Sequence, residues 1–327
     1  MQVTTSTIPQ PTRQFPWRLV PGEPILCEWL TNTEDKFSEP FFDETINRLR
    51  YNPINQRPFT SCSQLEMIAE WASTMPAKKP AAFIFHVSRC GSTLLAQLLD
   101  MQPEHMVLAE VPFLDELLRL PLKNKAYDAA AATGFFDAAL QWYIQCSYTS
   151  PSQVFVKTDS WHLHFYEQLR AQYPKVPFIL LYRDPPEVLQ SQQRRRGIQS
   201  VPGLIEPALF SFTQEQATEY DLDKYMGHVL QGYFKKMAWI AEHDNNSILI
   251  NYNEESFALS GMKKILAACH LPLDKKYAER IAERAGYHAK HPQQLFSEEK
   301  MPGPIPAFLL PVMEWYFTLE ALRVSRY

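Results

Sequence analysis

The residues of this chain that could do chemistry gather in two short stretches. The first reads Phe83-Ile84-Phe85-His86-Val87-Ser88-Arg89-Cys90-Gly91-Ser92-Thr93-Leu94-Leu95. An apolar run, a turn with a single glycine, and a helix opened by two hydroxyl residues follow one another there. Such an order aims backbone N–H groups and the positive end of a helix dipole at one point beyond a strand. Phosphate, or an anion like it, is the natural occupant. Ser88, Arg89, Cys90, Gly91, Ser92 and Thr93 are therefore the candidate cradle. Gly91 allows close backbone approach, the two hydroxyls can donate, and Arg89 can bind two oxygens together. Singly, a Ser-Thr pair reads as a helix cap and a lone glycine as a turn; it is their order that favours an anion. The nucleotide-kinase loop G-x-x-x-x-G-K-[ST] needs a second glycine and a lysine that this stretch lacks, so the lysine and Mg²⁺ scheme of ATPases has no counterpart here.

The second stretch, Phe178-Ile179-Leu180-Leu181-Tyr182-Arg183-Asp184-Pro185-Pro186, precedes a helix bearing Ser191. The prolines stop a strand and start a helix, which leaves Arg183 at the strand's carboxyl end, where open α/β folds bind ligands. Ser191 follows about two helical turns later, and the pair could hold a second phosphate. Alone, the motif reads equally well as an arginine paired with a nearby acid and a solvated serine.

These residues need a scaffold, and the pattern around them supplies one. Short apolar runs at Ala82–His86, Met106–Ala109, Val154–Lys157, Phe178–Tyr182 and Ile248–Tyr252 read as strands buried on both faces, as in a parallel sheet. Helical spacing separates them, at residues 93–101, 126–146, 161–173, 186–196 and 215–242, with further helices at about 255–269, 275–286 and 307–325. The expected fold is α/β, a doubly wound parallel β-sheet of the P-loop NTPase kind, flanked by helices and carrying helical insertions. Residues 1–80, punctuated by proline and aromatic residues, read as an N-terminal extension packing on the core, with a short helix at Glu66–Trp71. The segment Met75-Pro76-Ala77-Lys78-Lys79-Pro80 reads as the linker into the main domain, residues 81–327.

Taken together, Ser88–Thr93 and Arg183-Asp184-Pro185…Ser191 resemble the P-loop sulfotransferase family. The stretch Ile248-Leu249-Ile250-Asn251-Tyr252-Asn253-Glu254-Glu255, with His270-Leu271-Pro272-Leu273 after the next helix, is similar to that family's softer tail motif. The resemblance runs over about residues 82–292. It implies 3′-phosphoadenosine 5′-phosphosulfate as donor, with Arg89, Gly91, Ser92 and Thr93 on the 5′-phosphosulfate and Arg183 and Ser191 on the 3′-phosphate. Arg89 stands where cytosolic members carry lysine, which points to the bacterial and Golgi-like branch, and the late Gly-rich basic loop of cytosolic members is not evident. The activity implied is transfer of a sulfuryl group to a hydroxyl or amine of a small-molecule, carbohydrate or peptide acceptor, without a metal. Such transfer asks the protein to align the reactants and neutralise charge, and an acceptor hydroxyl needs a base. The resemblance gives that role to Glu110, in Leu108-Ala109-Glu110-Val111-Pro112; the structural alternative is a carboxylate favouring the dipole of the helix at Pro112. His86 is the second candidate base, although strand-end histidines are commonly structural. Lys157 either adds positive potential over the donor or is a solvated strand end. The rival functions are a different P-loop enzyme, a kinase or NTP hydrolase, and a non-catalytic nucleotide-binding relative.

Composition narrows the rest. The 327 residues carry 32 Lys and Arg against 36 Asp and Glu, a net charge of −4, too balanced for a nucleic-acid binder. Five scattered cysteines, Cys27, Cys62, Cys90, Cys146 and Cys269, form no C-x-x-C pair and suit a reducing compartment. The N-terminal stretch has proline at 9, 11 and 16 and no charged start followed by an apolar run, and no stretch reaches the roughly 18–20 apolar residues of a membrane span. A cytoplasmic protein is expected. Trp161-His162-Leu163-His164 is not expected to bind metal, for want of acidic or Cys partners nearby in sequence. Arg194-Arg195-Arg196-Gly197 reads as a cationic helix end with Gly197 at C′. Tyr220, Tyr225, Tyr233, Phe234 and Trp239 face the core or wall the acceptor, and Glu39-Pro40-Phe41-Phe42-Asp43 could lie over the site as a lid.

Overall fold

The computed structural model describes residues 13–34, 36–147, 151–253, 257–287 and 304–326. Pro9, Pro11, Glu254, Glu255 and the stretch 288–292 lie outside these residues. The chain begins with β1 (Gln14–Val20), β2 (Leu26–Thr31), α1 (Phe42–Arg50), β3 (Cys62–Gln64) and α2 (Glu66–Ala72). The alternating portion follows: β4 (Ala82–His86), α3 (Ser92–Asp100), β5 (His105–Ala109), α4 (Pro112–Lys123), α5 (Ala129–Gln145), β6 (Gln153–Lys157), α6 (Tyr166–Gln172), β7 (Phe178–Tyr182) and α7 (Pro185–Arg194). It closes with α8 (Gln214–Ala217), α9 (Leu222–His243), β8 (Ser247–Asn251), α10 (Phe257–Ala268), α11 (Lys275–Ala285) and α12 (Leu310–Arg326).

Strands β4 to β8 form one parallel sheet in the order β5-β6-β4-β7-β8. Every residue of β4, β5 and β7 is buried, which is why the runs read as continuously apolar instead of alternating. The chain leaves β4 to one side for β5 and β6, then crosses to the other side for β7 and β8. Sheets of this winding open a crevice at the carboxyl ends of the strands where the direction reverses. Residues 86, 110, 157, 183 and 252 all lie at or just past those ends.

Two helices differ from the pattern's expectation. Residues 161–173 are a 3₁₀ turn at Ser160–Phe165 that passes into α6. Residues 215–242 divide between α8 and α9, because Asp221 caps α9 by accepting from the amides of Asp223 and Lys224, while Thr213 and Gln216 close a capping box around α8. The cationic run after α7 also differs. That helix ends at Arg194, and Gly197 has φ −86° and starts a 3₁₀ turn at Ile198–Ser200, so Gly197 is not a left-handed C′ residue.

Before residue 80, β1, β2 and β3 make a small antiparallel sheet that the sequence pattern did not show. With α1 and α2 it seats on α5: Phe15 of β1, Phe37 and Phe42 surround Tyr143, and Trp29 of β2 and Trp71 of α2 meet Trp142. The linker is not loose. Gln141 of α5 accepts from the Lys78 amide at 2.8 Å and donates to the Lys78 carbonyl at 3.1 Å.

Phe15 is completely buried at the centre of this contact. Phe15→Ala is expected to cost about 3–5 kcal/mol in urea unfolding. A loss below about 1 kcal/mol would mean that the N-terminal sheet is not packed on α5 as described.

Candidate active site

The turn between β4 and α3 is built from unusual backbone. Ser88, Arg89 and Gly91 have φ of 65°, 52° and 82°, and for the two non-glycine residues that conformation costs about 1–3 kcal/mol each. Specific contacts hold it. The Ser88 amide donates to His86 Nδ1 at 3.0 Å, Gln192 of α7 donates to the Ser88 hydroxyl at 3.3 Å, and the Cys90 thiol sits buried 3.5 Å from the Leu181 carbonyl. Gly91 is fixed on two counts: its φ, and the Tyr252 ring, which would lie 2.4 Å from any Cβ there.

Gly91, not a hydroxyl residue, is the N-cap of α3, and no side chain caps the helix. The simple cap reading of Ser92 and Thr93 therefore does not describe them. The first intrahelical bond runs from the Leu95 amide to the Gly91 carbonyl at 3.0 Å. Among the described residues, no acceptor meets the amides of Arg89, Gly91 or Thr93. They face a cleft of about 1370 Å³ lined by Ser88, Arg89, Cys90, Gly91, Ser92, Thr93, His86, Glu110, Arg183 and Ser191. The residues that the sequence assigns to the donor, with Glu110 and His86, converge on this one hollow, and Lys157 is not among its lining residues. Cys90 differs from its neighbours in kind: burial pushes its thiol up to about 12, so its contribution is main-chain only.

Arg89 reaches across the hollow and donates to the Arg195 carbonyl. Burial, and then the neighbouring Arg195, pull its pKa down, so an anion placed there would relieve both. Arg183 is buried, with its Nε on Glu187 at 2.8 Å and its plane over the Tyr252 ring at 4.8 Å. It thus does pair with an acid, and the pairing fixes its orientation while it still lines the cleft. Ser191 lines the cleft one helical face along.

Glu110 directly follows β5 at φ 53° and is tied by its amide to the Lys157 carbonyl at 2.8 Å. Its carboxylate pairs with Lys157 Nζ, which has no exposed side-chain area, and lies 3.4 Å from His86 Nε2. Burial opposes ionisation of Glu110, but Lys157 and His86 together outweigh it and hold the carboxyl well below the usual range. His86 Nδ1 accepts from Ser88 and Nε2 donates to the Thr158 carbonyl at 2.9 Å. Burial lowers its pKa, so the ring is a neutral Nε2–H imidazole with both nitrogens engaged.

The structure adds residues that sequence reasoning missed. Tyr252 and Phe257 meet at the cleft edge with centroids 4.7 Å apart and ring planes tilted by 54°. Gln192 is completely buried, and it links the Ser88 hydroxyl to the Gly197 amide; nothing in a helical glutamine signals that. The histidine pair also has acidic neighbours after all: Asp115, Asp159 and His162 bring ligand atoms within 4.8 Å of one another. Asp115 is supplied by α4, far off in sequence, and its oxygens already accept from Trp161, His162 and Arg119. Of the aromatic run, Tyr225, Tyr233 and Phe234 are core, Tyr220 and Trp239 are exposed, and none lines the cleft. Pro40, Phe41, Asp43 and Glu44 do line it, with the Phe41 ring 4.8 Å from Lys157 Nζ.

Among solved structures, sulfotransferase STF9 from Mycobacterium avium aligns with 80% of this chain and 81% of its own at a TM-score of 0.50 and 15% identity. The fold is that of a sulfotransferase. The mouse sulfotransferase SULT7A1 complexed with PAP aligns over 83% of this chain and 95% of its own, at a TM-score of 0.38 and 11% identity. No protein-family model matches the chain, and no curated protein does.

Because Glu110 binds its proton less readily folded than unfolded, its contribution to stability is complete above the ordinary carboxylate value of about 4.3 and drains away as pH falls below it. The stability gap between the wild-type protein and Glu110→Gln, from urea unfolding, should shrink between about pH 5 and pH 3. A gap that stays constant would remove the Lys157–Glu110 pairing from the folded protein in solution.

Proposed function

We propose that this protein transfers a sulfuryl group from 3′-phosphoadenosine 5′-phosphosulfate to a hydroxyl or amine of a small-molecule, carbohydrate or peptide acceptor. The observation that carries the reading is the convergence on one cleft of unpaired turn amides, two arginines and Glu110, whose carboxylate is paired with Lys157. The residues present suit the donor. Turn amides without a partner among the described residues and a guanidinium crowded by a second cation both favour a compact dianion, as backbone amides and a helix N-terminus do in general. Arg89 and the amides of Arg89, Gly91 and Thr93 would hold the 5′-phosphosulfate, Arg183 and Ser191 the 3′-phosphate, and the Tyr252 and Phe257 rings would offer the adenine apolar contact.

When bound, the donor supplies a sulfuryl group whose departure leaves charge on a phosphate. The chain's part is to neutralise that charge with Arg89, the loop amides and the α3 dipole. Glu110 takes the acceptor proton, and Lys157 fixes the carboxylate and the position from which it acts. His86, saturated on both nitrogens, positions: it braces the turn through Ser88 and faces Glu110. Residues 1–80 form the extension whose segment Pro40–Glu44 walls the cleft. The cysteines, all free thiols, support a reducing, cytoplasmic setting, and among the described residues no helix is long and apolar enough to cross a membrane.

A second reading, a nucleotide enzyme using a metal, draws on the Asp115–Asp159–His162 cluster beside the cleft. Thermal unfolding separates the two, since a ligand of the folded state raises the melting point. We expect 3′-phosphoadenosine 5′-phosphate to raise it and ATP with Mg²⁺ to leave it unchanged; the reverse preference rejects the sulfuryl-transfer reading. Arg89→Ala and Arg183→Ala should each weaken 3′-phosphoadenosine 5′-phosphate binding about tenfold or more. Glu110→Gln should lower turnover by about 10²–10⁴ with that affinity retained; full turnover in this variant would strip Glu110 of the proton.

A further inference from the structure

The cleft is electrically divided. Arg89, Arg183, Arg194 and Arg195 line the part assigned to the nucleotide, whereas Asp43, Glu44, Glu110 and Asp159 line the rest. The acids lie close enough to one another to repel. Burial and then Glu110 raise the Asp43 carboxyl, and burial, Glu110 and Asp115 raise that of Asp159. Lys157 faces Asp159 as well, but its ammonium is committed to Glu110.

Asp159 stands out within this group. It is only 9% exposed, begins the 3₁₀ turn at Ser160 without capping it, and makes no side-chain hydrogen bond among the described residues. Its nearest partner is His162 Nε2 at 3.7 Å, and that nitrogen lies nearer to Asp115, at 3.0 Å. The Asp159 side chain is 12% exposed and opens on the cleft, so a donor brought by a ligand would meet a carboxyl that no hydrogen bond of the described residues satisfies. Asp43 and Glu110 on the same wall favour a cationic donor over a neutral or anionic one.

We propose that the acceptor is an amine-bearing alcohol, whose ammonium seats on Asp159 with Asp43 beside it while its hydroxyl meets Glu110. This rests on the sulfuryl-transfer reading and narrows it. An amine held by carboxylates stays protonated and has no lone pair to offer sulfur, so oxygen is the atom sulfated. The hydroxyl proton passes to Glu110, the oxygen lone pair forms the new O–S bond, and the old S–O bond breaks with its electrons remaining on the nucleotide phosphate. No oxidant or reductant enters.

The test uses the full chain and two scaffolds varied only in charge: tyramine, 4-ethylphenol and 4-hydroxyphenylacetate; glucosamine, glucose and glucuronate. Binding is measured by calorimetry with the protein saturated in 3′-phosphoadenosine 5′-phosphate, and kcat/KM with the sulfated donor. The cationic member of at least one scaffold should exceed its neutral counterpart about tenfold or more, with the anionic member weakest. Asp159→Asn should abolish that preference while the 3′-phosphoadenosine 5′-phosphate melting shift remains that of wild type. Asp43→Asn, on an exposed helical turn, repeats the test where folding is not at stake and should reduce the preference. Preference for a neutral or anionic member, a cationic preference that survives in both variants, or no binding by either amine overturns the proposal with the donor site intact. Failure of the wild-type protein to bind 3′-phosphoadenosine 5′-phosphate would instead bring down the reading beneath it.

Discussion

The site depends on a backbone constraint: between β4 and α3 the chain must enter the left-handed region at Ser88, Arg89 and Gly91. Unsupported, such a turn relaxes to ordinary conformations and its amides scatter. Here the turn is held from several sides, by His86 and Gln192 on Ser88, by the Arg195 carbonyl on the Arg89 side chain, by Leu181 on Cys90 and by Tyr252 on Gly91. The supports come from β4, α7, β7 and the end of β8, so the whole sheet has to be assembled before the cradle exists. Strain confined to a ligand-facing turn and over-determined by its surroundings is how a fold keeps donors aimed at a target that is not yet there.

The second organising element is the buried Lys157–Glu110 pair. Removing two charges from water is costly, and a pair of this kind is poor evidence for stability. It is better understood as positioning. Lys157 and Glu110 sit at adjacent strand ends, with Ala109 in register with Lys157, and the main-chain bond from Glu110 to Lys157 repeats the side-chain connection. The carboxylate is thereby set opposite the arginines, and one cleft carries both polarities without either cancelling the other.

The sheet was legible from sequence because its strands are buried on both faces and so appear as unbroken apolar runs between helices; all five expected runs agree to within one residue at each end. The strand–turn–helix and the Arg-Asp-Pro stretch were legible because phosphate-holding turns need particular residue types in a particular order. What sequence did not show was set by long-range packing. The small antiparallel sheet has short, mixed strands, and β3 is three residues long. Asp115 meets His162 only through the tertiary fold, as Gln192 meets Ser88. Arg183 shows why a local motif leaves alternatives open: it pairs with an acid and lines the cleft at once.

The aromatic ring of Phe41 rests against the ammonium of Lys157 at 4.8 Å, although Phe41 stands at the start of α1 in the N-terminal part of the chain and Lys157 ends a strand of the parallel sheet. That ring covers a lysine whose side chain has no exposed area. A chain shortened to begin at the parallel sheet would still have every strand of that sheet and every cradle residue, yet its lysine would lose the Phe41 cover. Its hold on the carboxylate beside it would fall toward the weak coupling that ions have in water. The leading residues are therefore part of the dielectric of the site, and what looks from chain order like an appendage sets how strongly the charges at its centre feel one another.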